Sequence, residues 1–160
     1  MTLDERDFLE VIERTPLVSI DLVVQDQAGR VLLGWRTREP AKNTWFVPGG
    51  RIRKNETLDA AFSRIAAAEL GTSLARSQAA LLGVYTHLYE TNFAGAAGID
   101  THYVVLAYAL SAAEAPQSLP KEQHSAYCWL SAGEAFRHPE VHPYVLPYFE
   151  ALSGLAGNAA

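Results

Sequence analysis

Between Gly50 and Gly71 the chain reads GRIRKNETLDAAFSRIAAAELG, and few of its side chains can do chemistry: Glu56, Arg64 and Glu69, with Pro48-Gly49-Gly50 at the entrance. Glycine has no side chain to obstruct an approach and tolerates unusual dihedrals, so Gly49-Gly50 is read as a turn that brings bare backbone close to a ligand. A helix starting near Thr57 presents its N-terminal end nearby. On that helix Ile65, Ala68 and Glu69 stand at i, i+3 and i+4 and share one face. Only Glu69 is charged, and taken alone it reads as a solvated acid near a helix end, on a face too sparse for several metal ions. Glu56 and Arg64 read as an ion pair that shapes the loop ahead of the helix.

Other reactive groups are scattered. Asp21 interrupts an apolar strand, and a buried carboxylate needs a partner, which leaves a site role or an ion pair as its two readings. An imidazole titrates near neutrality, yet a single His is more often surface or satisfied core than a base. Taken alone, Arg36 reads as a charge at a strand end and Tyr103 as a core aromatic. His102 alternates with Tyr103 and faces the other side of its strand. The one cysteine, Cys128, sits among Tyr127, Trp129 and Leu130 and reads as a small buried hydrophobe.

The elements that must position these groups follow from periodicity and turn chemistry. Residues 3–15 carry apolar side chains at helical spacing and end at Thr15-Pro16. Residues 17–25 and 31–37 read as a hairpin turned at Asp26-Gln27-Ala28-Gly29, and 44–47 as a brief strand delivering the Pro48-Gly49-Gly50 turn. The helix after Thr57 stops at Gly71. Strands at 81–89 and 102–110 flank a Gly- and Ala-rich loop, 90–101, read as able to move over a ligand. A Pro-bearing loop, 111–123, precedes a strand at 125–130, Ser131 and Glu134 have the spacing of a capping box, and 144–155 reads as helix. The expectation is one α/β domain over residues 1–156 with a frayed tail at 157–160.

Length and composition set outer limits. With 160 residues, 49% of them hydrophobic, the chain has material for one core and not for two ordinary domains. A net charge of -5 argues against a nucleic-acid polymer as partner, though a metal ion and a few Arg can make one pocket positive on an acidic protein. Residues 1–15 carry acids before any apolar run, so neither an export signal nor a membrane span is expected, and a cytoplasmic location follows.

Taken together, residues 50–72 resemble the Nudix box. The resemblance spans nearly the whole chain through Thr15-Pro16-Leu17-Val18-Ser19 ahead of Asp21, Trp45-Phe46-Val47-Pro48-Gly49-Gly50-Arg51, Thr101-His102-Tyr103-Val104-Val105-Leu106, and Glu122-Gln123-His124 ahead of Tyr127, Trp129 and Leu130. It is similar to the GDP-mannose mannosyl hydrolase branch of that family, whose box is likewise short of the Glu that other members carry around Glu69. The resemblance implies an α/β/α sandwich around a mixed β-sheet. It also implies Mg²⁺-dependent hydrolysis of GDP-mannose, with GDP-glucose as a further substrate, to GDP and free sugar by water attack at the anomeric carbon with inversion.

In that chemistry GDP leaves, and the protein's task is to stabilise charge growing on the diphosphate. The resemblance implies one Mg²⁺ per subunit, replaceable by Mn²⁺, held by Glu69, the carbonyl of Gly50 and the amide oxygen of Gln123, with the diphosphate completing the shell. Arg36, Arg51 and Tyr103 would meet phosphate oxygens, and Arg64 is kept as a further substrate contact. His124 would be the base, on one loop with Gln123. Asp21 would bind sugar hydroxyls or orient His124, and His87 would serve the sugar end. A homodimer, with Phe8 and Leu9 at the contact, is the implied assembly. Two alternatives stay open: an ordinary Nudix pyrophosphohydrolase attacking phosphorus, and a sensor that binds a nucleotide sugar without turnover.

Overall fold

In the computed structural model, which describes residues 3–112 and 118–158, Asp26 closes the first hairpin. Its Oδ1 accepts from the N–H groups of Ala28 and Arg30 at 3.0 and 2.8 Å, and Gly29 takes the left-handed conformation at φ 83°. The hairpin joins β1 (Leu17–Gln25) to β2 (Val31–Arg36), but the two strands pair only at Gln25 and Val31 and then part. The fork between them is the organising feature of the fold. Segment 45–51 crosses it, pairing with β2 through β3 (Trp45–Phe46) and with β1 through β4 (Gly49–Arg51).

The rest of the sheet grows from both prongs. β6 (Thr101–Ser111) runs parallel to β1 over its whole length, and β5 (Ala80–Tyr89) pairs antiparallel with β6. β7 (His124–Leu130) pairs antiparallel with β2. The seven-stranded sheet is therefore mixed, as expected. β1 lies between neighbours and is covered on both faces, so it reads as a nearly continuous apolar run in which Ser19, Asp21 and the terminal Gln25 are the exceptions.

Helices cover both faces. α2 (Leu58–Leu70) sets Phe62, Ile65 and Leu70 against Ile20, Leu22 and Tyr108. It starts at Thr57, whose hydroxyl accepts from Ala60 N–H, and ends at Gly71 in the left-handed conformation, φ 73°. On the opposite face α3 (Ala132–Arg137), a short 3₁₀ turn at Pro143–Val145 and α4 (Leu146–Asn158) bury Ala135, Val145, Tyr148, Phe149 and Leu152 against Val23, Leu33 and Ala107. The Ser131–Glu134 capping box is present. α1 (Glu5–Arg14) starts at Asp4, which caps it. Cys128 is half-buried beside the second core, and burial pushes its thiol up to about 11.

Four expectations need correction. Gly49 and Gly50 are not in a turn: they belong to β4, and neither has a positive φ. Glycine is required there by close approach, because a Cβ on Gly49 would lie 2.6 Å from both Asp21 Oδ1 and the Ile20 carbonyl. Loop 90–101 is not a loose lid. Buried Asn92 ties it to itself, donating to the carbonyls of Ala96 and Ile99 and accepting from the N–H groups of Ala94 and Ala96. His124 is not on a loop but opens β7 opposite Arg36. The last helix continues through Asn158, past the expected start of fraying; residues 159–160, like 113–117 of the Pro-bearing loop, lie outside the described residues.

Candidate active site

The fork opens onto a cavity of about 450 Å³. Asp21, Arg36, Gly50, Arg51, His87, Tyr103 and Gln123 line it, together with Phe8, Ser19, Arg38, Glu39, Phe46, Tyr89 and Phe93. A smaller pocket of about 40 Å³ adjoins it through a shared residue, Gln123, and is walled by Ala68, Glu69, Pro120, Glu122, His124 and Tyr127. Of the expected substrate contacts, Arg51 and His87 line the larger cavity and Arg64 lines neither. Its guanidinium donates to both carboxylate oxygens of Glu56, at 2.6 and 2.8 Å, and to the Arg51 carbonyl at 2.9 Å. Glu56 also accepts from Arg53 N–H at 2.8 Å. The Arg64 bonds hold its carboxyl down at about 2, so the pair shapes the loop ahead of α2.

β4 sets the geometry at the fork. The bonds Leu22 N–H to Pro48 O and Ile52 N–H to Val18 O, both 2.8 Å, put Ile20 and Gly50 in the hydrogen-bonded register of the ladder and Gly49 opposite Asp21 in the other. Gly50 therefore turns its carbonyl toward β1, which occupies one of that oxygen's two lone pairs. Gly49 turns its N–H the other way, to Glu69.

Glu69 is 5% exposed. Burial pushes its carboxyl up to about 7, with Glu122 adding to the rise, against the pull of Arg36 and the Gly49 N–H. His124, 1% exposed, has Nδ1 3.7 Å from Glu69 Oε2, too long for a hydrogen bond. Burial and the charge of Arg36 hold its imidazole down at about 4, so it is neutral at pH 7. Its ring lies over Gly34, where any Cβ would overlap it. Among the described residues, two buried side-chain nitrogens lack a hydrogen-bond partner, Arg36 Nε and His124 Nε2, and they belong to cross-strand neighbours. Buried polar atoms are ordinarily paired, so two orphans together mark a place that a ligand's oxygens or protons would satisfy.

No three His, Cys, Asp or Glu side chains among the described residues come together as a metal cage. The carboxylate of Glu69, the spare lone pair of Gly50 and the amide oxygen of Gln123 are donors of the kind one hard cation takes; Glu69 lines the small pocket, Gly50 the larger cavity and Gln123 both. Ile65 packs beneath Gly50, where a second carboxylate would have to stand.

Asp21 faces the larger cavity. Its Oδ2 accepts from Tyr148 Oη at 2.5 Å, and no ion pair involves it among the described residues. Burial pushes its carboxyl up to about 7, offset in part by Tyr148 and Arg36. No hydrogen bond joins it to His124. His87 is 3% exposed, stacks on Tyr144 at 4.4 Å and is pushed down to about 4 by burial. At the rim Arg51 lies 4.0 Å over the Phe8 ring, and Phe8 packs on Phe93 at 4.9 Å, so Phe8 is engaged within its own chain. Sequence reasoning missed Tyr148, Tyr89, Phe93, Arg38 and Glu39. Phe8 it placed elsewhere. Nothing in the local pattern around Tyr148 points to Asp21.

Comparisons with known proteins bear on the fold and the family. The NUDIX domain matches residues 15–149. The chain is 39% identical over 145 residues to the "Low-salt glycan biosynthesis protein Agl8" of Haloferax volcanii, covering 89% of this chain and 85% of that protein. Among solved structures it resembles the MutT NUDIX hydrolase from Burkholderia pseudomallei (TM-score 0.67, 27% identity, 86% of this chain and 98% of that one). It also resembles the MutT protein from Methanosarcina mazei Go1 (TM-score 0.68, 15% identity, 89% and 97%). With the box on α2, the mixed sheet between two helical layers and a family match over most of its length, this chain belongs to the Nudix hydrolase family.

Proposed function

We propose that this Nudix hydrolase cleaves a GDP-hexose, GDP-mannose with GDP-glucose as a further substrate, to GDP and free sugar by water attack at the anomeric carbon with inversion. The observation that carries this is the single carboxylate on the inner face of α2. Glu69 stands alone on the inner face of α2, with Ile65 packed under Gly50 and Ala68 in the small pocket. Attack at phosphorus in this family draws on a cluster of carboxylates that hold several ions; departure of a diphosphate asks only for charge stabilisation at one end. The Haloferax relative is named for glycan biosynthesis, which points toward a sugar nucleotide.

Nudix hydrolases use divalent metals such as Mg²⁺, and here Glu69, the Gly50 carbonyl and the Gln123 amide would hold one. When bound, that ion neutralises charge on the leaving diphosphate. Arg36 and Arg51 donate to phosphate oxygens from two sides of the cavity, and Tyr103 donates its O–H there. His124, neutral because it is buried beside Arg36, would offer its unpartnered Nε2 to the proton of the attacking water. It would do so from the small pocket beside Glu69, and not, as expected of the base, from the sugar side away from the metal, where Asp21 and His87 line the larger cavity. Asp21 and His87 meet the sugar. Arg64 reaches the substrate only through the Arg51 backbone that it holds. The proposal includes a homodimer acting in the cytoplasm; among the described residues no helix is long and apolar enough to cross a membrane. Sedimentation equilibrium checks the assembly.

The test is a product assay on GDP- and UDP-sugars with Mg²⁺ in ¹⁸O-labelled water. Free hexose carrying the label is expected. A hexose phosphate, or label in a phosphate, would place the attack at phosphorus. Tight binding with no product would make the protein a sensor.

A further inference from the structure

We infer that Tyr148 is a positioning residue for Asp21, reaching across from α4 to aim one carboxylate oxygen into the cavity. The inference deepens the proposed function and rests on it for the identity of the ligand. Asp21 sits in β1 with only 7% of its surface exposed, on the strand face opposite to that of Ile20 and Leu22. Its two oxygens meet different surroundings. Oδ2 accepts the Tyr148 hydroxyl at 2.5 Å. Oδ1 lies against Gly49, where it would collide with any Cβ, and Asp21 and Gly49 both line the cavity while Tyr148 does not.

The phenol is held as firmly as the acid. Tyr148 is fully buried, its ring meets Tyr85 edge-on at 5.0 Å, and Phe149 and Leu152 anchor the same helix in the second core. Its hydroxyl donates to Asp21 Oδ2, which makes that oxygen the less basic of the two. A proton taken up by the carboxyl therefore goes to Oδ1, and Oδ1 is the atom through which Asp21 accepts from, or donates to, a sugar hydroxyl. Without the phenol the carboxyl can rotate and exchange its two oxygens. A bound sugar would then meet either.

Tyr148→Phe deletes the O–H and keeps the ring against Tyr85. With GDP-mannose and Mg²⁺, kcat should fall about tenfold while KM moves less than roughly twofold, because orientation and not affinity is lost. In an Asp21→Asn background the same change should have no further effect on kcat. An unchanged kcat, or an equal loss in both backgrounds, overturns the inference.

A second arm needs no turnover. Arg36 of β2, Tyr89 of β5 and Tyr103 of β6 also act on Asp21, and all three remain in the variant. The hydroxyl favours the ionised acid, so the titration of the Asp21 carboxyl ¹³C resonance should move up by about one pH unit or more in Tyr148→Phe. An unmoved midpoint overturns the positioning role even if no GDP-sugar proves to be a substrate. Loss of free-sugar formation in the unaltered protein would count against the proposed function alone.

Discussion

Glu56 and Glu69 belong to the same short motif and end in opposite chemical states. Glu56, at the loop before α2, is held by Arg64 and by the Arg53 N–H, and its carboxyl sits near 2. Glu69, near the end of α2, keeps one backbone donor in a dry setting, and its carboxyl sits near 7. The loop network is complete within the chain: its donors and acceptors answer one another. The fork is not, since Arg36 Nε and His124 Nε2 are buried without partners. A satisfied network builds shape, and an unsatisfied one is where a ligand gains most from binding.

That contrast can be broken most severely at His124. His124→Gln should lower kcat roughly a thousandfold with Mg²⁺ and substrate affinity nearly intact; equal turnover in steady-state assays would dismiss it as the base. Next comes Glu69→Gln, which should lower kcat/KM about a hundredfold and shift the Mg²⁺ titration to higher concentration. Its melting temperature should hold or rise, because a buried acid is neutralised. An unchanged metal requirement would refute the ligand role.

Asp21→Asn separates stability from activity. The folded pKa of Asp21 lies above its unfolded value of 3.8, near 7. Its burial therefore costs nothing below pH 3.8, and stability falls as pH rises from there to about 7. The Asn variant should flatten this fall and be more stable than the parent at pH 8 by up to about 4 kcal/mol, while losing activity. Denaturant unfolding at several pH values reads the difference, and parallel profiles would refute it.

Glu56→Gln should give the smallest effect and the opposite sign. Its folded pKa is depressed, so its contribution is present above the unfolded value of 4.5 and is lost as pH falls toward 2. The pair is partly solvated, which limits the loss at pH 7 to about 1 kcal/mol. Activity should fall only as far as the loop loosens. A larger effect on kcat than that of Glu69→Gln would invert the comparison.

Much of this was legible in the chain. The caps of α2 at Thr57 and Gly71, the Ser131–Glu134 box and the hairpin at Asp26 are local bargains between neighbouring residues, and each stands where turn and capping chemistry places it. The Glu56–Arg64 pair was legible too, because both partners lie in one motif. The role of Gly49-Gly50 is not legible in the same way, because spacing shows that glycine is needed and not why. The reason is Asp21, far away in sequence and directly opposite in the sheet. Loop 90–101 looked mobile from its Gly and Ala content, yet one buried amide, Asn92, closes it.

By itself the sequence determined the family, the α/β layering and a motif with one carboxylate on its inner face, since periodicity, caps and residue type depend on near neighbours. Only the tertiary structure decided that β1 and β2 part into a fork, that Glu69 and Asp21 are buried deeply enough to sit near 7, and that Tyr148 stands behind Asp21. Burial and long-range pairing arise from residues brought together by the whole fold, and no local pattern encodes them.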